Sequence, residues 1–261
     1  GLSPAIIQEI LGEKYQFPMM NFSFTIGMPY GEVYLRKIKE KIKENPNMNS
    51  LFILSVDPFS LGNYEIKEIN KNIPREKNSV LDKLNSVSSQ PNLEYFFKYI
   101  FFSKQFVTLK FNTDGGCDKY GFDASNLDIT TDTEWKRRER IDLQIMPWYE
   151  KEVIPTYQFS NNRLNYLAQT IDFLKKNGEV FLVRMPVGKE FVAQTNTVFS
   201  HFDDFMQNFA NKKGISYISY WQSSSDYKTT DGVHLYKIEA EKLSRRLAKK
   251  IGNMNRSKMA H

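Results

Sequence analysis

The sequence predicts a single α/β domain in which helices cover both faces of a parallel sheet. Continuous apolar runs, which are typical of strands buried on both faces, occur at residues 51–56 and 179–185. Segments with apolar residues at helical spacing separate these runs. Strands that alternate with helices in this way usually pair in parallel, so we expect a three-layer α/β/α arrangement.

The first part of the chain is predicted to contain two helices and two strands. Ser3 is a preferred N-cap residue and Pro4 is favoured at a first helical position, so a helix begins here. Residues 17–26 are predicted to form a strand that leads to Gly27, and residues 30–44 a helix. The apolar run at residues 51–56 is then the second strand.

Residues 58–160 are predicted to form an insertion within the single domain of residues 1–261. They show no alternation of strand and helix: residues 95–106 are strongly aromatic, 112–133 are rich in Gly, Asp, Asn and Thr, and 134–149 are charged. A loop-rich insertion at the rim of a sheet often carries substrate selectivity, and it can equally be a structural cover.

Predicted helices and strands alternate again in the last third of the chain. Three apolar stripes at helical spacing are predicted to be helices: residues 164–174, 191–209 and 235–251. Gly178 and Gly214 are typical of positions that end a helix. Strands are predicted at residues 179–185 and 215–221, which makes four core strands in total.

Composition narrows the class of partner. The net charge is +6, and it is spread over Lys-rich helices such as residues 37–43. Solvated helix faces explain this pattern, with an anionic membrane surface or acidic glycan as the alternative. No nucleic-acid-binding motif occurs, so no nucleic-acid partner is expected.

The single cysteine, Cys117, excludes an intrachain disulfide, and three histidines form no zinc-ligand pattern, so we expect no metal and no cofactor.

Residues with catalytic potential follow the predicted strands. Ligands of open α/β sheets bind outside the carboxyl ends of the strands. Gly27, Asp57 and Arg184 end or follow the first three strands, and a loop from Asp231 to His234 follows the fourth. His234 could transfer protons near neutral pH, and Asp231 could reach its other ring nitrogen. A turn aspartate before a helix-capping histidine would give the same spacing.

The stretch Asp231-Gly232-Val233-His234-Leu235, directly before an amphipathic last helix, resembles the final block of the SGNH/GDSL hydrolase superfamily. In that family, the Asp and His of D-x-x-H belong to the catalytic triad. Weaker similarities to other family blocks lie at residues 21–27, 55–60 and 183–186. The resemblance implies a flavodoxin-like sheet and a bacterial extracytoplasmic branch, periplasmic or membrane-anchored, that acts on cell-envelope polymers.

The resemblance also implies roles for individual residues. His234 would be the general base, Asp231 the residue that orients it, and Gly27 an oxyanion donor through its backbone N–H. Asp57 and Arg184 would contact substrate, although Arg184 could equally pair with a neighbouring carboxylate. The implied activity is that of a serine esterase or O-acyltransferase acting on an acylated cell-envelope glycan or lipid.

The chain departs from the family pattern at the nucleophile. Neither Gly-Asp-Ser nor Gly-x-Ser-x-Gly occurs, and Asp57-Pro58 stands where the family has Gly-x-Asn-Asp. Ser3 is better explained as an N-cap. We therefore expect the first strand, the nucleophilic serine and any membrane anchor upstream of Gly1. The alternative is a non-catalytic binding or assembly module that lacks the nucleophile. A flavodoxin-like phosphate binder is less consistent with the sequence, which has no glycine-rich phosphate loop.

Overall fold

The computed structural model describes residues 1–12, 14–15, 19–23, 28–44, 49–63, 76–77, 79–85, 122 and 129–259. Gly27, which the resemblance implies as an oxyanion donor, lies outside the described residues. The same is true of Cys117, of the aromatic segment 95–106, and of much of the predicted insertion.

A parallel sheet forms the centre of the molecule. The strands of the described residues are β1 (Ser50–Ser55), β2 (Gly62–Asn63), β3 (Gln158–Phe159), β4 (Gly178–Arg184) and β5 (Ser216–Ser219). Strands β1, β4 and β5 pair in parallel in the order β1-β4-β5, while β2 and β3 pair antiparallel. The chain is therefore a mixed α/β protein with a parallel sheet, as the sequence predicts.

The helices surround this sheet and also build part of the predicted insertion. The described helices are α1 (Pro4–Leu11), α2 (Glu32–Glu44), α3 (Val80–Lys83), α4 (Glu134–Arg140), α5 (Met146–Trp148), α6 (Asn161–Leu174), α7 (Lys189–Val198), α8 (Phe202–Lys213) and α9 (Lys237–Met259). Two π-helical turns, Ile141–Ile145 and Tyr149–Val153, flank α5 and continue the path of α4.

Helices cover both faces of the sheet. Side chains alternate in direction along each strand, so successive residues of a strand pack against different helices. On one face, Phe181, Val183 and Ile218 pack against α1 and α9. On the opposite face, Leu54 and Leu182 pack against α2, α6 and α8. This burial explains why the strands are continuous apolar runs rather than alternating ones.

The two ends of the predicted insertion lie side by side. Gly62 pairs with Phe159, and Asn63 pairs with Gln158. The N–H of Ser160 also donates to the carbonyl of Leu61 at 2.9 Å. This short ladder brings residues 61–63 beside residues 158–160, directly before α6.

Two elements differ from the sequence prediction. Residues 19–23, which belong to the predicted first strand, have no regular structure. The long stripe at 191–209 is two helices, because the backbone leaves the helical region at Phe199 (φ −155°, ψ 83°). There the Phe199 ring packs against Phe159 and Phe205 at centroid distances of 5.7 and 5.4 Å.

Gly178 does not end a helix as predicted; α6 ends at Leu174 and Gly178 begins β4. The glycine is needed because β1 approaches closely. A Cβ atom built on Gly178 would lie 2.0 Å from the carbonyl oxygen of Ser50. Backbone atoms of a paired strand cannot move aside as a flexible side chain can.

We therefore expect Gly178→Ala to lower the free energy of unfolding by about 1–3 kcal/mol, because the strands must shift. Gly252→Ala is a matched control, since its added Cβ would meet only the end of the Leu11 side chain at 3.4 Å. Within α9 this control should stabilise by about 0.5–1 kcal/mol. Urea unfolding measures both values, and a Gly178→Ala protein as stable as wild type would contradict the close approach.

Candidate functional site

Asp231 and His234 form a hydrogen-bonded pair in the loop before α9. Asp231 Oδ2 lies 2.7 Å from His234 Nδ1. The other oxygen, Oδ1, accepts from the backbone N–H groups of His234 at 2.8 Å and of Val233 at 3.0 Å. Because Nδ1 donates to the carboxylate, Nε2 is the nitrogen left to accept a proton in the neutral ring.

The pair is partly buried at one end and exposed at the other. The side chain of Asp231 is 16% exposed, whereas that of His234 is 71% exposed. A partly buried carboxylate with several donors fixes the orientation of the ring, and the exposed imidazole can meet a substrate. This arrangement has the geometry required for general acid–base chemistry.

Gly232 allows the loop to turn within four residues. Its φ of +94° is a backbone conformation that favours glycine. A Cβ here would also lie 2.7 Å from the ring of Phe191. The Gly232 carbonyl accepts from the N–H of Gly188 at 2.6 Å, which ties the loop to the segment after β4.

The charge of Asp231 is stabilised by its hydrogen bonds. Burial alone would raise the pKa of this carboxyl. Hydrogen bonds from the His234 side chain and from the backbone N–H groups outweigh burial, so the pKa lies below its usual value. Asp231 is therefore ionised at neutral pH.

Two arginines of α4 hold the other half of the loop. Arg137 Nε donates to the carbonyl of Thr229 at 2.7 Å, and Arg140 Nε donates to the carbonyl of Thr230 at 2.8 Å. Both threonines are buried. Arg137 also pairs with Glu190 of α7 at 3.3 Å. The loop is thus attached to the insertion and to α7.

A buried carboxylate completes this support. Asp132, whose side chain is 2% exposed, accepts hydrogen bonds from Arg140 and from the hydroxyl of Tyr236. Burial would raise the pKa of Asp132, but these two partners lower it below the usual value. Tyr236 directly precedes α9, so Asp132 links the start of that helix to α4.

Apolar contacts join the loop to the turn that follows β1. Phe59, Tyr149, Val153 and Phe191 form a buried cluster, against which Val233 packs. The ring of Tyr149 lies 5.1 Å from that of Phe59 and 5.0 Å from that of Phe191. Segments after β1 and β4 therefore share one apolar core with the loop of Asp231 and His234.

Asp57 stabilises the turn after β1. Its Oδ1 accepts from the N–H of Ser60 at 2.8 Å, and the Ser60 hydroxyl donates to its carbonyl at 2.7 Å. Burial raises the pKa of Tyr157, and the charge of Asp57 raises it further. The structure thus shows a turn-capping contact for Asp57, whose predicted contact with substrate stays a prediction.

Arg184 pairs with a carboxylate, which is one of the two alternatives left open by the sequence. Its side chain is 2% exposed and contacts Asp203 at 3.1 Å. The guanidinium lies 3.6 Å from the centre of the Trp221 ring and 4.9 Å from that of Phe202. Arg184 is therefore packed within the core, on the face of the sheet that α8 covers.

Sequence reasoning missed Asp132, Arg137, Arg140 and Tyr236. The available signal was the pair of arginines three residues apart in α4, a spacing that places both on one helix face. In sequence this helix resembles any solvated charged helix. Its contacts cross about 90 positions of the chain, so local pattern does not reveal them.

No group of three or more His, Cys, Asp or Glu within the described ranges could hold a metal ion. In the same part of the chain, no helix has the length and apolar character needed to cross a membrane. Comparisons of the chain with protein-family models, curated proteins and solved structures gave no match. A proposed function must therefore be supported by the geometry of this protein's own residues.

Asp231→Asn should lower the free energy of unfolding by about 1–2 kcal/mol at neutral pH, because a carboxylate with three donors is lost. The pKa of Asp231 is depressed in the folded state, so its contribution is complete above the unfolded pKa of about 3.9. It is lost as the pH falls through the lower folded value. Urea unfolding at several pH values should show the difference from wild type shrinking below about pH 4.

Asp142→Asn is the control for this measurement, because Asp142 is exposed. Its effect should stay within about 0.5 kcal/mol at every pH. A destabilisation by Asp231→Asn that stays constant into strong acid would contradict the depressed pKa.

Arg137→Ala should destabilise the protein by about 2–4 kcal/mol, since it leaves the Thr229 carbonyl without its partner and Glu190 with the longer contact to Arg138 at 3.7 Å. Arg138→Ala is the matched control on the same helix. Arg138 is 44% exposed, against 13% for Arg137, so its loss should cost about 0–1 kcal/mol. Urea unfolding and hydrogen exchange at residues 229–235 measure both effects; equal effects of the two variants would disprove the anchoring role.

Proposed function

We propose that this protein is an SGNH-like serine esterase or O-acyltransferase that acts on an acylated cell-envelope glycan or lipid. The observation that carries the proposal is the Asp231–His234 pair, with 2.7 Å between Oδ2 and Nδ1. A partly buried aspartate that orients an exposed histidine has the arrangement of the acid–base half of a Ser-His-Asp triad. The pair also lies in the loop between the last strand and the last helix of a parallel α/β fold.

In this reaction His234 Nε2 takes the proton of a serine hydroxyl as that oxygen attacks the ester carbonyl. The same proton is then given to the leaving alcohol, and an acyl-enzyme remains. Water releases the acyl group in hydrolysis, or a hydroxyl of the acceptor takes it in transfer. Asp231 stabilises the imidazolium that forms in each step.

The support around the pair suits this role. Arg137 and Arg140 hold the two residues before Asp231, and Gly232 allows the tight turn. A loop held on both sides keeps its catalytic groups in one geometry, which reduces the entropy lost on reaching the transition state.

The proposal places the nucleophilic serine in a first strand upstream of Gly1 that would pair with β1, giving a flavodoxin-like sheet. Gly27 would contribute an oxyanion donor. The resemblance of the D-x-x-H block to the SGNH/GDSL hydrolase superfamily is the support for the substrate class. It is also the support for an extracytoplasmic location, periplasmic or membrane-anchored. Because neither Gly-Asp-Ser nor Gly-x-Ser-x-Gly occurs in the 261 residues, a non-catalytic binding or assembly module on the same scaffold is the second candidate.

We expect the full-length protein to hydrolyse p-nitrophenyl acetate and to react with a fluorophosphonate probe. His234→Ala should lower turnover by about 10²–10⁴-fold, the usual contribution of a positioned general base. His201→Ala is the matched control, because His201 is exposed and precedes α8.

Unchanged turnover in His234→Ala would refute the assignment of the general base. A folded full-length protein with neither turnover nor probe labelling would instead favour the non-catalytic module. Mass spectrometry of the labelled protein would identify the serine directly.

A further inference from the structure

A groove lies between the end of β5 and the C-terminal half of α9, and neither Asp231 nor His234 lines it. It is open to solvent and has a volume of about 490 Å³, within the range of about 300–1,000 Å³ for small-ligand sites. Its polar lining includes Ser219, Tyr220, Ser223, Arg246, Lys249 and Lys250. We call it the β5–α9 groove.

Three cations of α9 face this groove. Arg246, Lys249 and Lys250 occupy positions i, i+3 and i+4 of the helix, so they lie on one face. Like charges at this spacing destabilise a helix. Asp226 pairs with Arg246 at 3.2 Å, but within the described residues Lys249 and Lys250 form no ion pair. About two positive charges in the groove are therefore not compensated.

Tyr220 supplies a second, independent observation. Its side chain is 3% exposed, it lines the groove, and its hydroxyl oxygen is buried without a hydrogen-bond partner in the part of the chain that the structure describes. A buried hydroxyl without a partner costs free energy. Burial raises the pKa of Tyr220 to about 12, so at neutral pH the hydroxyl keeps its proton and can donate it to an acceptor.

We propose that the β5–α9 groove binds a phosphate group, with Lys249 and Lys250 supplying charge and the Tyr220 hydroxyl donating to one phosphate oxygen. A phosphomonoester carries about −1.5 to −2 charges at neutral pH, which matches the two uncompensated lysines. Its oxygens accept several hydrogen bonds at once, as this set of donors requires. The phosphate could belong to a soluble phosphorylated molecule or to a lipid headgroup.

Isothermal titration of the whole protein with glycerol 3-phosphate at low salt tests the site. We expect saturable binding, weakened about tenfold or more in a Lys249→Gln/Lys250→Gln variant, because two charge-assisted contacts are lost. Lys176→Gln/Lys212→Gln is the matched control: it removes the same charge from exposed positions elsewhere and should leave the affinity unchanged.

Tyr220→Phe tests the hydroxyl separately. It should weaken binding roughly threefold to tenfold while leaving the free energy of unfolding unchanged or higher, because no protein partner is lost. An unchanged affinity would overturn the assignment of Tyr220 to the site. Equal affinities in the double-lysine variant and its control would overturn the site as a whole.

Vesicles distinguish the two sources of phosphate. Co-sedimentation with phosphatidylcholine vesicles that contain phosphatidic acid, and not with pure phosphatidylcholine, would indicate a lipid headgroup. Binding of glycerol 3-phosphate without vesicle binding would indicate a soluble ligand. Binding of neither probe would overturn the proposal. Ester turnover in the groove variants should equal wild type, so this test is independent of the proposed hydrolase activity.

Discussion

Burial of β4 on both faces is the constraint on which the other elements depend. All residues from Val180 to Arg184 are buried, and they point alternately toward two different helical layers. A parallel strand needs a crossover connection to each neighbour, and the helices of those connections supply the cover. The same constraint brings the segments after β1, β4 and β5 to one edge of the sheet. The loop of Asp231 and His234 is held at that edge by Arg137 and Arg140 of α4.

Residues of α4, together with Asp132, support the loop of Asp231 and His234 from one side. Arg137 contacts Thr229 and Glu190, Arg140 contacts the Thr230 carbonyl and Asp132, and Asp132 also contacts Tyr236. None of these groups needs to meet a ligand. They hold the backbone on one side of Asp231, while the hydrogen bonds of Asp231 itself hold the other side. The exposed imidazole is therefore the solvent-facing end of this assembly.

The positively charged side chains of the protein lie in several different environments. Arg163 pairs with Glu76 in a site where both side chains are 7% exposed, and Arg184 pairs with Asp203 between two aromatic rings. These arginines are structural. Lys249 and Lys250 are exposed and line the same groove as Tyr220, whose hydroxyl is buried. The net charge of +6 is a sum over the whole sequence and does not distinguish between these environments.

The sequence by itself determined the elements with strong local signals. The apolar runs predicted β1 and β4, the helical stripes predicted α6 and α9, and the spacing of Asp231 and His234 predicted a contact that requires only three residues of chain. It did not reveal the break at Phe199, the true role of Gly178, or the partners of Arg137, Arg140 and Arg184. Those features depend on atoms distant in sequence: the Ser50 carbonyl, the Thr229 and Thr230 carbonyls, and Asp203. Only the tertiary structure decides them, because periodicity reports which face of an element is apolar and not which groups that face will meet.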